Sequence, residues 1–265
     1  MRRSSLFWGI VIILAGVLLL LQQMGLLVFN FWAIFWPLML ILAGIWFLLG
    51  PTIFHQDFHA EAVSIPLEGE SEADIRLKHG AGSLHIGALP DGGELLSGTC
   101  VGGVDLRVHR HTGRVKARLS TAPDVWFGFP GTIGGRGLAW DLKISRSVAL
   151  KLDLESGASE STLDLTDLRV GELEVQTGAS STDITLPAQA GYTRVSVKSG
   201  AAAVNLRLPD GVAGRIYIQS GLAGVSVDTA RFPQGSGVYE TPGYATAANK
   251  AEIRVETGVG SIDIR

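Results

Sequence analysis

Two patterns of hydrophobic and polar positions divide the chain. From Leu6 to Leu49 there is no Asp, Glu, Lys or Arg. Leu6 to Leu21 is apolar apart from Gly9 and Gly16, and the run continues across Gln22 and Gln23 to Leu27. A second run goes from Phe31 to Leu49, interrupted by Pro37, which membrane helices tolerate when neighbours satisfy the freed carbonyl. At about 1.5 Å per residue, the first run extended to Leu27 is long enough to cross a hydrocarbon core of about 30 Å. Trp8 to Gly16 aligns with Trp36 to Gly44, and both end in Ile-Leu-Ala-Gly. The small pairs Ala15, Gly16 and Ala43, Gly44 let two helices approach closely. Trp8, Trp32 and Trp36 stand near span ends, where indole rings favour the interface. The pattern predicts a two-helix transmembrane hairpin over residues 1–50, with spans of about 6–27 and 31–49. A signal peptide shares the Arg2-Arg3 start, but the second run would remain after cleavage.

Residues 51–74 read as a juxtamembrane linker and first strand region. From residue 75 the period becomes two. Six units share an alternating arm, a Ser or Thr, a glycine, and a second alternating arm. They centre on Gly80, Gly157, Gly178, Gly200, Gly221 and Gly258, with His79 in the hydroxyl position of the first. Positions five and three before each glycine are apolar, and the apolar set returns six after it at Ile86, Leu163, Ile184, Leu206, Val227 and Ile264. The intervening positions are polar: Arg76, Lys78, Asp153, Glu155, Glu174, Gln176. Strict alternation puts one face in and one out. Each unit is therefore two short strands joined at a corner, where glycine supplies positive φ or a close backbone approach. Spacings of 21 or 22 residues among Gly157, Gly178, Gly200 and Gly221 mark a repeat architecture. A β-solenoid over 75–265 follows, with Leu154, Val175, Val197 and Ile218 in one core column and the corner hydroxyls in a hydrogen-bonded column. A meander of antiparallel hairpins forming a β-sandwich is the alternative.

An insertion, 98–137, separates the first two units. Val104 to His109 and Val115 to Leu119 read as a hairpin, with Arg107, His109, Lys116 and Arg118 on its polar face and Arg110 and Arg114 at its tip. Trp126, Phe127 and Phe129 follow in a loop rich in Pro and Gly. They could cap the solenoid core, contact a partner or dip into the membrane interface.

Composition sharpens this picture. Glycine is nearly twice its usual share of about 7%, with 34 in 265 residues,. The net charge of −3, with Arg2 and Arg3 ahead of the spans, leaves −5 for the rest. That balance excludes general nucleic-acid binding. Cys100 is the single cysteine, so neither an internal disulfide nor a Cys-rich metal cluster is available. Under the positive-inside rule Arg2 and Arg3 place the N-terminus in the cytoplasm, and two spans return the β domain there.

The residues resemble a known family. The hairpin with its Trp-Gly and Trp-Pro starts and shared Leu-Ala-Gly resembles the membrane region of LiaI-like and LiaF-like proteins. Leu138 to Leu142, Leu150 to Ser159, Leu173 to Ser180 and Glu256 to Ile262 resemble the toast-rack β domain of the LiaF family, the bacterial cell-wall-active antibiotic response proteins. The resemblance implies a non-enzymatic regulator in the bacterial cell membrane. It would act by protein contact in envelope stress, on a sensor histidine kinase or another membrane protein.

No catalytic constellation, cofactor or metal is read from the residues. His55, Asp57 and His59 alternate as ligands could, but a solvated juxtamembrane cluster explains them equally. Gly131 to Gly137 lacks the Lys-Ser/Thr ending of a phosphate loop. The repeat serines have no local His partner. The expected interaction surface is Arg107, Arg110, Arg114, Lys116 and Arg118 with Trp126, Phe127 and Phe129. Its expected partners are the bilayer, an acidic protein surface, or a second copy in a homo-oligomeric scaffold.

Overall fold

A computed structural model describes residues 60–90, 92–121 and 138–265, together with 13, 16, 17, 35–42 and 44. The chain separates into two units, residues 1–56 with 127–135, and residues 57–126 with 136–265. In the first unit the described residues are helical and expose apolar side chains such as Ile13, Trp36 and Leu40. Among the described residues no helix is long and apolar enough to cross a membrane. The spans read at 6–27 and 31–49 lie largely outside them, as do His55, Asp57 and His59.

The second unit is built from strands. In chain order they are β1 (Ala60–Pro66), β2 (Glu72–Leu89), β3 (Glu94–Val101), β4 (Val104–His111), β5 (Arg114–Thr121), β6 (Ala139–Ser145) and β7 (Ala149–Asp164). Then come β8 (Arg169–Thr185), β9 (Tyr192–Arg207), β10 (Ala213–Val227), β11 (Gln234–Gly235), β12 (Val238–Glu240) and β13 (Lys250–Ile264). A 3-10 turn at Tyr244–Thr246 precedes the last.

Six long strands pair in parallel in the order β2-β7-β8-β9-β13-β10. That is not the arrangement of an antiparallel meander. Four residues separate Asp164 at the end of β7 from Arg169, which begins β8 beside Ala149. A straight strand of this length extends about 3.3 Å per residue, far beyond what four residues could retrace. Each long strand is therefore bent into two arms at its glycine. The inner faces of the arms enclose one core. Leu77, Leu154, Val175, Val197, Val255 and Ile218 form one column of it. Val255 thus stands between Val197 and Ile218, which are neighbours in the order of the chain's repeats. The final strand inserts between β9 and β10, so the corners stack as 80, 157, 178, 200, 258, 221.

None of the corner glycines has positive φ; at Gly157, Gly178, Gly200, Gly221 and Gly258 it is close contact that favours glycine. A Cβ on Gly178 would lie 2.8 Å from the Gly157 carbonyl oxygen, and one on Gly258 2.7 Å from that of Gly200. The hydroxyls beside them form only part of a column. Ser199 and Thr257 are hydrogen-bonded at 2.7 Å, whereas the buried Thr177 hydroxyl has no partner.

Residues within 98–137 also join the sheet. β5 pairs in parallel with the first arm of β2 and β6 with the second. Together they form a layer whose two arms are separated in sequence. Antiparallel strands cover this layer: β4 lies on β5, and β3 then β1 on β6. At the opposite end β12 pairs with the first arm of β10 at Arg215 and Ile216. Phe232, fully buried, packs on Gly214 there. The second arm, Leu222–Val227, pairs on one side only.

His79 replaces the corner hydroxyl where the covered end begins. It is 1% exposed, its ring centre is 5.1 Å from that of Trp140, and both ring nitrogens lack partners. Burial pushes its pKa down from 6.5 to about 4.

Two predictions follow from this packing. Gly178→Ala forces a methyl group against the Gly157 carbonyl and should cost about 1–3 kcal/mol in thermal or denaturant unfolding. Gly87→Ala, which meets nothing within 4 Å, should be neutral or slightly stabilising. For His79, the unfolded chain takes up its proton near 6.5 while the folded chain resists it down to about 4. Its contribution is thus intact above pH 6.5 and is lost as pH falls from 6.5 to 4, by about 3 kcal/mol in all. His79→Phe should flatten that part of the stability profile; an unchanged profile would place the titration elsewhere.

Candidate interaction surface

The outward face of the first arms is a lattice of charges. Lys116, Asp74, Lys151, Glu172, Arg194, Glu252, Arg215 and Glu240 stand side by side on successive strands. Their signs alternate without exception. Lys151 and Glu172 are bonded at 2.9 Å and Arg215 and Glu240 at 2.5 Å. Opposite charges on adjacent strands stabilise pairing by a few tenths of a kcal/mol each, and like charges there destabilise it. The row therefore favours one register.

The five cations of the expected surface separate by face. Arg107, Lys116 and Arg118 point outward, and Arg107 is directly opposite Arg118. Arg110 is opposite the buried Val115, on the inner face. Its guanidinium meets Glu70 at 2.6 Å, Glu68 at 3.1 Å and the Pro66 carbonyl at 2.8 Å. The Glu70 carboxyl is held below the usual carboxylate range by its own backbone N–H, by that of Glu68, and by Arg110. Arg110 is thus a tie between β4 and the loop after β1, engaged rather than available. Arg114 is paired with Glu72. His109 and His111 are exposed strand residues. Trp126, Phe127 and Phe129 lie outside the described residues.

Arg76, which the sequence pattern marks only as a polar strand position, completes the cationic group. It is beside Arg118 in the parallel register and 2.7 Å from Asp153. Arg76, Arg107, Lys116, Arg118, His109 and Asp74 line a hollow of about 280 Å³. The signal for it was the position of Arg76 in its repeat, but its neighbour could be named only once β5 was known to pair with β2.

A second, shallower trough of about 900 Å³ runs along the glycine corners. Lys78, Glu155, Gln176, Lys198, Gln219 and Glu256 border it. These groups offer hydrogen bonds of both kinds and no net charge. Cys100 is fully buried and its thiol is pushed up to about 12, first by burial and then by Glu61, so it is not a thiolate at neutral pH.

Comparison with known proteins places this geometry. Residues 6–48 match the LiaI-LiaF-like transmembrane region. No curated protein matches the chain. A crystal structure described as a candidate cell adhesion protein from Clostridium sporogenes is similar in fold. Its TM-score is 0.72 at 18% identity, over 78% of this chain and 99% of that one. A candidate adhesin from Bacteroides fragilis has 8% identity over 78% of this chain and 97% of its own, with a TM-score of 0.21, too low to bear on the fold. Residues 54–207 match the N-terminal domain of toast_rack, DUF2154, and with more than half of its length so matched the chain belongs to that family, as a LiaF-like membrane region joined to a toast-rack β domain.

Proposed function

We propose that this is a non-enzymatic, membrane-anchored regulator of the bacterial cell-envelope stress response, acting by protein contact, with a sensor histidine kinase as its partner. The observation that carries the reading is the pairing, in one chain, of the LiaI-LiaF-like membrane region with the toast-rack domain. The bent parallel strands support it physically. We read them as coils of a β-solenoid, a rigid body with an extended face of ordered charges. Such a body acts on a partner only by binding one of its states more tightly than another. In this reading both the N-terminus and the β domain are cytoplasmic, within reach of the intracellular segments of a kinase.

One feature favours a second reading, a self-associating scaffold. The arm Leu222–Val227 pairs on one side only, carries no charge, and leaves Leu222 83% and Val225 41% exposed, beside Val259 at 53%. Unpaired, uncharged strand edges are the usual sites of edge-to-edge association.

Cross-linking in native membranes followed by purification of the full chain separates the two. A membrane-embedded kinase among the cross-linked species is the expected result. Copies of this chain alone, lost on Val225→Lys, would replace the regulator with the scaffold. Sidedness is tested with Lys198→Cys, since Cys100 is buried and silent. A membrane-impermeant thiol reagent should label it only after the membrane is opened. Labelling of intact cells would remove contact with cytoplasmic kinase segments.

A further inference from the structure

We propose that Arg76, Arg107 and Arg118, with Lys116, form a binding site for a phosphate group carried on a small headgroup. The proposal rests on a break in the charge pattern and does not depend on which partner the chain regulates. Along the row from Lys116 to Glu240 every neighbour has the opposite sign. In the adjacent row Arg107, Arg118 and Arg76 occupy three successive strands. Like charges directly opposite one another destabilise a sheet. Strands lie about 4.8 Å apart, so one small ligand spans all three. The same row goes on to the acids Asp153 and Glu174 on the next two strands, so its charges are segregated by sign, and a departure of this kind from local pairing rules is where functional sites are expected.

The balance of the cluster is positive. Arg107 is bonded to Asp105 at 2.9 Å and Arg76 to Asp153 at 2.7 Å. Among the described residues Lys116 and Arg118 make no ion pair. Asp74, the one acid lining the hollow, is flanked in its own row by Lys116 and Lys151. The planar forks of several guanidiniums suit the multiple oxygens of a phosphate better than a single carboxylate, which one Arg satisfies. The hollow, about 280 Å³, is near the lower end of ligand sites, which begin at about 300 Å³. It has room for a phosphate and a few further atoms. The same group could come from a phospholipid headgroup or a soluble phosphate ester.

The test uses the full chain in nanodiscs. In phosphatidylcholine nanodiscs, inorganic phosphate and glycerol 3-phosphate are titrated by calorimetry. In phosphatidylglycerol nanodiscs, hydrogen exchange of residues 104–121 is compared with that in phosphatidylcholine. Saturable binding of glycerol 3-phosphate without lipid-dependent protection identifies a soluble ester. Protection in the anionic nanodiscs identifies the lipid headgroup. In either case Arg118→Gln should weaken the effect by about tenfold or more, and Lys143→Gln with Arg207→Gln, on the other arm, should not. Arg118 is exposed and unpaired, and its removal relieves like-charge repulsion, so the melting temperature should hold or rise. No binding of either probe together with no protection, or an undiminished effect in Arg118→Gln, would overturn the proposal. A lowered melting temperature with unchanged affinity would make Arg118 a structural residue and overturn it equally.

Discussion

Everything in the β unit depends on how closely the corners approach. From Gly157 to Gly221 the carbonyl oxygen of one corner glycine lies within 3.1 Å of where the next would carry its Cβ. This contact fixes the layers at hydrogen-bonding distance through the bend itself, so pairing runs through both arms of each strand. Without glycine, the two arms would pair but the bend would splay. The core columns and the charge rows would then lose their alignment together. A second close approach sits two residues further on at Gly260, whose φ of 134° is open only to glycine,.

With the layers locked, outward side chains lie in straight rows, and electrostatics selects among registers. Hydrophobic alternation alone forbids a slip of one residue, because that turns the core face outward. A slip of two residues keeps the faces and is excluded by other means. It would break the bonded pairs Lys151–Glu172 and Arg215–Glu240. Each exposed pair is worth little alone, but the row acts collectively. The three arginines are conspicuous against that background.

The period of two, the glycine corners and the inward columns were readable directly, because they are local in sequence. The place of the last strand was not. β13 and β10 carry the same pattern, and either order would bury the same faces. The segment between them, residues 228–249, decides the matter: it caps the first arm of β10 with β12 and Phe232 before returning to the other side. The layer formed by β5 and β6 was also hidden, since its arms are separated in sequence and share no corner glycine. The interaction surface suffered from the same gap. The hairpin and its outward cations were visible, but Arg76 belongs to a strand whose contact with the hairpin is long-range. Arg110 was assigned to the tip because Glu68 and Glu70 precede it by some forty residues.

A stack of this kind constrains what chemistry it supports. Its outward side chains stand in parallel rows at the layer spacing. Recognition needs only a periodic surface and a local departure from its pattern. Two such departures are the arginine row beside β4 and the uncharged arm of β10. These lie at opposite ends of the strand order. In the middle, the row from Asp74 to Glu252 alternates in sign and Lys151 and Glu172 are bonded. The ends of the stack are therefore where binding free energy remains to be gained, and a single rigid body carries both.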